Sequence, residues 1–223
     1  MSGKREIQVT CPKCGKNSPF TIWSSINTMV DPGMKQAVRD RSAFQFICPD
    51  CGLKTYFDYG FLYHQMEDKI MIYFVDSAED EKAVEQILAG DDPMGMMKDI
   101  KEDEYIIRIV HTRNELLEKI EIFDAGLDDR IVELCKVHAL AVYQSEHPDE
   151  KSIETLYYRD QAGSRNCVLV ISGGQKKGMT EIPQQLYDDL KEKYSWKLPE
   201  LRKDGPKIDR GWALKVMGVR PEE

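Results

Sequence analysis

Short runs rich in Val, Thr, Ile, Phe and Trp over residues 6–10 and 20–28 predict two strands. Runs of the same kind at 43–47, 54–59, 69–75 and 105–110 predict further strands. Between them, Asp31-Pro32-Gly33 reads as a turn opening a short helix over 34–41, with Asp31 as its cap and Pro32 near its first position. An acidic helix is predicted over 77–89, capped by Ser77 with Asp80 three residues on. Thr112-Arg113-Asn114-Glu115 has the form of a capping box, opening a helix that runs to about Phe123 and stops at Gly126. Asp128 starts another helix to about Gln144, on which Ile131, Leu134, Cys135, His138 and Val142 fall on one face. Residues 153–159 and 166–172 are expected to pair as a hairpin, and Pro183–Trp196 reads as an amphipathic helix.

In 223 residues, 41% hydrophobic and 31% charged, the chain is long enough for one large domain or two small ones. Its charge is uneven. The first 75 residues carry nine basic and seven acidic side chains, net +2, within a chain of net −8. That balance argues against a general nucleic-acid binder or a polybasic membrane-surface protein. No apolar run approaches the ~20 residues needed to cross a bilayer. The N-terminus reaches Cys11 without an apolar leader run, so the expected location is the cytoplasm.

In a reducing compartment, paired cysteines read first as metal ligands or redox groups. Cys11-Pro12-Lys13-Cys14-Gly15 and Cys48-Pro49-Asp50-Cys51-Gly52 share one frame, with 33 residues between Cys14 and Cys48. Two residues between thiolates let one tight turn aim both sulfurs at a common point. Proline fixes φ near −65° at the turn's first corner. Glycine after the second cysteine supplies the positive φ that closes the turn, and exposed N–H groups then point at the sulfurs. Two such knuckles make a tetrahedral four-sulfur site, which reads as closed, structural zinc, one ion per chain, held by Cys11, Cys14, Cys48 and Cys51. Two independent redox pairs are the competing reading, disfavoured because glycine and strand-like sequence follow each pair. Iron, as in a rubredoxin, is the competing metal. The repeat extends further: Phe20 and Phe57 each stand nine residues after the first cysteine of their knuckle, which suggests an aromatic from each half covering the site.

Other chemistry-bearing residues read as structural. His64, His111, His138 and His147 lie far apart and form no ligand or nucleophile motif, so no enzyme activity is expected. His64 is the candidate to support the metal centre through a hydrogen bond. Cys135 and His138 read as core neighbours, and Cys167 as part of a buried strand. The Met94-Gly95-Met96-Met97 cluster reads as irregular core filler, Asp149–Lys151 as a junction, and Gly173–Gly178 as a turn without phosphate-loop spacing. The basic stretch 191–220 contains Trp196 and Trp212 but is offset by acids.

The doubled Cys-Pro-x-Cys-Gly frame resembles the CpXC domain of bacterial and archaeal proteins. So do Trp23–Asn27, Asp31-Pro32, Phe44-Gln45-Phe46, Leu62-Tyr63-His64 and Met71-Ile72-Tyr73. The likeness covers roughly residues 8–75 and continues more weakly to about 140. Gln65 stands where that pattern often carries an acid. The resemblance implies a metal-binding module and no particular activity. The expected fold is α+β: a zinc-ribbon-like β domain with an inserted short helix at 1–76, a mainly helical extension at 77–148, and a small α+β region at 149–223. The expected role is a binding or scaffold module whose partner is another protein. The alternatives are a nucleic-acid-associated ribbon stacking bases on Trp23, Phe44, Phe46 and Tyr56, or a rubredoxin-like electron carrier.

Overall fold

The computed structural model describes residues 2–91, 104–148, 153–161, 164–171 and 175–219. The Met94–Met97 cluster, the Asp149–Lys151 junction and Gly173-Gly174 are outside the described residues. Contacts divide the chain into two compact units, residues 1–113 and 114–223, where composition suggests three segments with breaks after 76 and 148. The architecture is α+β, as the element order predicts.

In the first unit, β1 (Gly3–Thr10) and β2 (Asn17–Asn27) form an antiparallel hairpin whose turn is the first cysteine knuckle. Helix α1 (Gly33–Arg39) follows; then β3 (Gln45–Ile47) and β4 (Lys54–Tyr56) form a second hairpin around the second knuckle. This is the expected ribbon with its inserted helix. The helix entry differs in detail. Pro32, already at helical φ and ψ of −62° and −28°, occupies the N-cap, and no side chain caps the helix, so Asp31 does not play that part.

A five-stranded sheet carries the ribbon. Its order is β1-β2-β5-β6-β7, with β5 at Phe61–Gln65, β6 at Ile70–Phe74 and β7 at Ile106–Val110. The β2–β5 and β6–β7 pairs are parallel and the others antiparallel. Every residue of β6 is buried, as expected of a central strand covered on both faces. Helix α2 (Ala78–Leu88) starts at Ser77, whose hydroxyl accepts the Asp80 N–H, and sets Val84 and Leu88 against Tyr73, Val75 and Ile109.

The second unit packs α3 (Arg113–Asp124, its first residue shared with the other unit), α4 (Asp129–Glu146), α5 (Gln184–Tyr194) and α6 (Arg210–Met217) with a sheet of order β10-β9-β8. The strands are β8 (Ile153–Gln161), β9 (Ser164–Ile171) and β10 (Lys176–Glu181), all antiparallel. The β8–β9 hairpin is the expected one, and Cys167 lies on β9 opposite Tyr158. Asp128 caps α4 by accepting the Arg130 N–H, and Gly126 ends α3 at φ +66°.

The buried face of α4 is not the predicted one. Ile131, Leu134 and Cys135 are buried, but His138 and Val142 are exposed, so His138 is not a core partner of Cys135. Glu133 and Lys136 are buried instead. Lys136 Nζ donates to Glu118 Oε1 and Glu133 Oε1, both at 2.8 Å, and Lys119 Nζ donates to Asp129 Oδ2 at 2.8 Å. Glu118 Oε1 also accepts the Tyr158 N–H. Burying these groups is tolerable only because each charge meets an opposite one.

Candidate metal centre

The two knuckles are built alike, hydrogen bond for hydrogen bond. Cys11 N–H donates to Lys16 O and Cys48 N–H to Leu53 O, both at 2.9 Å. Gly15 N–H donates to Cys11 O at 2.9 Å and Gly52 N–H to Cys48 O at 3.0 Å. Gly15 and Gly52 sit at φ +72° and +69°, the left-handed conformation that closes each turn and that other residues adopt at a cost. In each knuckle the first cysteine is buried; of the second ones, Cys14 is exposed and Cys51 half-buried.

The turns deliver the four sulfurs to one place, all within 4.8 Å of one another. Across the knuckles, Cys11 Sγ lies 3.6 Å from Cys51 Sγ, and Cys14 Sγ lies 3.7 Å from Cys48 Sγ. A disulfide needs about 2.0 Å. A metal held by four thiolates at ~2.3 Å sets tetrahedral edges of about 3.8 Å. The spacing therefore fits the corners of one coordination sphere. Lys16 Nζ and Asp50 Oδ1 join the two knuckles at 2.6 Å across the surface beside it.

Backbone donors face the sulfurs, as the turn geometry requires. The N–H groups of Cys14 and Lys13 draw the Cys11 thiol down to about 6. The Lys16 N–H does the same for Cys14, but desolvation and the neighbouring thiols outweigh it and push Cys14 up to about 12. Cys51 is also raised, because burial and the sulfurs of Cys11 and Cys48 overcome the Leu53 N–H. One sulfur ionises readily and then disfavours the others. A divalent cation removes that repulsion, so the donor set suits a metal better than a set of free thiols.

An aromatic cluster roots the centre in the sheet. Phe20 meets Phe57 at 5.7 Å between ring centroids and Phe46 at 5.9 Å, and Phe46 meets Phe57 at 5.6 Å. Tyr59 extends the cluster to Phe44 and Phe61, and those two reach Phe74 on β6. Phe44 and Phe46 are only 0% and 2% exposed, so they cannot stack on bases as the nucleic-acid alternative requires. Tyr56 is exposed, with the Arg113 guanidinium over its ring, and Arg113 also pairs with Asp58.

His64 is not among the clustered ligands. It lies on β5, in register with Asn27 and Met71, with Nε2 3.3 Å from the Tyr105 hydroxyl. Burial lowers its pKa, which favours the neutral ring.

A family model described as CpXC protein matches residues 9–136. The chain belongs to the CpXC family. The CpXC match begins two residues before Cys11 and ends at Lys136, so it takes in both knuckles, four of the five strands of the larger sheet with only the end of β1, and the buried ion cluster of α3 and α4. No curated protein and no solved structure matches the chain. Among the described residues, no helix is long and apolar enough to cross a membrane.

Proposed function

We propose that this CpXC protein binds one zinc ion through Cys11, Cys14, Cys48 and Cys51, and that the ion is structural. The metal-stabilised unit then serves as a binding or scaffold module for another protein in the cytoplasm. The observation that carries the reading is the convergence of four sulfurs within 4.8 Å. Four thiolates fill the coordination sphere and give the Zn(Cys)4 unit a net charge of −2, which leaves no open position for water and makes a poor Lewis acid. The ion's work is therefore to hold two small hairpins that have little core of their own, and its binding free energy is folding free energy. A protein partner is supported by the shallow groove between β2 and β3, where Trp23, Met34 and the exposed Ile47 present apolar surface.

Hydrogen exchange before and after chelation tests the reading. Amides of 23–27 and 54–56 lose protection when metal is removed, whereas those of α4 keep theirs. Persistent protection of 54–56 in metal-free protein would show that the centre is not structural. A red protein as purified would assign iron and the electron-carrier alternative.

A further inference from the structure

A cavity of about 500 Å³ lies in the first unit, between α2 and the sheet. That volume falls in the ~300–1,000 Å³ range of small-molecule sites. It exists because α2 covers only part of that face. Val84 and Leu88 reach Tyr73, Val75 and Ile109, yet no residue of α2 is buried: Val84 and Ile87 are half-buried, and Ala83, on the same side of the helix, is exposed. Ile22, Leu62, Tyr73, Val84 and Ile87 give the cavity apolar walls.

The β1 side of the cavity is polar, and a β-bulge makes it so. Lys4 pairs with Trp23 but Gly3 with Ser25, so Ser24 is the extra residue of β2. Strand alternation would turn Ser24 and Ser25 to opposite faces; with the bulge, both line the cavity. A methyl group on Gly3 would lie 2.5 Å from Ser24 Oγ and 3.3 Å from Ser25 Oγ, so both hydroxyls stand on one side of β1, over a residue without a side chain. Ser25 Oγ accepts the Gly3 N–H at 3.0 Å, which holds the bulge. Arg5, two residues along β1, stands opposite Ile22 and also lines the cavity. Arg5 and Ser24 are exposed, and among the described residues neither has a hydrogen-bond or ion-pair partner for its side chain.

We infer that the cavity binds a small aliphatic carboxylate, its head group at the mouth between Arg5 and Ser24 and its chain between α2 and the sheet. The guanidinium fork matches the two oxygens of a carboxylate, and the hydroxyl adds a further donor. One guanidinium suits a single negative charge. The other end of the cavity fixes the direction. Asp76 and Asp80, hydrogen-bonded to each other, stand beyond β6, which is three strand spacings and so about 14 Å from β1. Like charge keeps a carboxylate from that end, and Ile22 on β2 and Leu62 on β5 lie between the two. A bound chain takes the apolar side of α2, at Ala83, Val84 and Ile87, further out of water, which supplies the driving force. The site uses none of the cysteines, so it stands or falls apart from the zinc reading.

The test is a titration of the full chain, as purified, with octanoate, octanol and octylamine, followed by amide NMR. Octanoate is expected to shift the amides of Arg5, Ser24, Leu62 and Val84, and to bind about fivefold or more tighter than octanol. Arg5→Gln, at an exposed position, brings octanoate down to the affinity of octanol and leaves octanol unchanged. Ala83→Trp, also at an exposed position, fills the space under α2 and weakens both. Equal binding of octanoate and octanol by the unaltered chain overturns the proposal, as does no binding at millimolar ligand. So does a preference for octylamine, which would place the anchor at Asp76 and Asp80. A carboxylate preference that survives Arg5→Gln, or binding that survives Ala83→Trp undiminished, overturns it as well.

Discussion

Phe20 and Phe57 meet with ring centroids 5.7 Å apart, each nine residues after the first cysteine of its own knuckle. Equal spacing from two equivalent turns brings equivalent side chains together across the ribbon. The contact ties the pairing of the knuckles to the core. The metal and the aromatic cluster then act on the same geometry, one at each end of the hairpins.

Truncating these rings should therefore weaken metal binding as well as stability. Phe20 is buried, so Phe20→Ala is expected to cost about 3–5 kcal/mol; Phe57→Ala, at a half-buried position, costs less. The double variant should depart from the sum of the two by about 0.5–1.5 kcal/mol, the worth of an aromatic pair. Denaturant unfolding measures the energies, and competition with a chromophoric chelator measures zinc affinity. Unchanged affinity in Phe20→Ala would uncouple the cluster from the centre.

Gly15→Ala and Gly52→Ala test the equivalence of the knuckles. Nothing lies within 4 Å of a methyl group at either position, so the penalty is conformational and amounts to about 1–2 kcal/mol each. Matching losses in chelator-challenged unfolding are expected; a large loss at one position alone would show that the two turns are not equivalent.

The ion cluster of the second unit gives a pH signature. Glu118, Asp129 and Glu133 face Lys119 and Lys136, three carboxyls against two ammonium groups. Desolvation raises Glu133 above its ordinary value of 4.5 despite the lysines beside it, so it holds a proton to higher pH than in the unfolded chain. The folded protein binds this proton more tightly than the unfolded chain, so this group's contribution to stability falls as pH rises above 4.5 toward the raised value. Glu133→Gln, which resembles the protonated form, should remove that fall in urea unfolding measured across pH. Lys136→Met leaves carboxylates buried without their partner and should cost about 3–5 kcal/mol. A wild-type fall that persists in Glu133→Gln would place the proton elsewhere.

With Phe44 and Phe46 enclosed and a net charge of −8, no salt-dependent affinity for mixed single-stranded DNA or RNA is expected at physiological ionic strength. Filter binding at several salt concentrations measures it. A micromolar complex that weakens steeply with salt would favour the nucleic-acid alternative.

The cysteine frame and its paired phenylalanines were legible because local turn chemistry dictates them. So were Ser77, Asp128 and Gly126 as helix boundaries. Strand β5 was legible only as part of the family-like segment, and its place between β2 and β6 depends on pairing with distant residues. Strand β10, Lys176–Glu181, has no apolar alternation; its pairing with β9 makes it a strand. On α4, apolar periodicity put His138 and Val142 inside. The helix instead buries Glu133 and Lys136, because Glu118 and Lys119 supply their counter-charges from α3, and periodicity alone does not register such partners.

Elemental analysis of the purified chain and of its single Cys→Ser variants tests the metal centre most directly. About one zinc per chain is expected, lost on substitution of Cys11, Cys14, Cys48 or Cys51 and retained in Cys135→Ser, whose thiol is buried outside the cluster. Full zinc occupancy in Cys48→Ser, or a native chain without stoichiometric zinc, would contradict a single closed site of four thiolates.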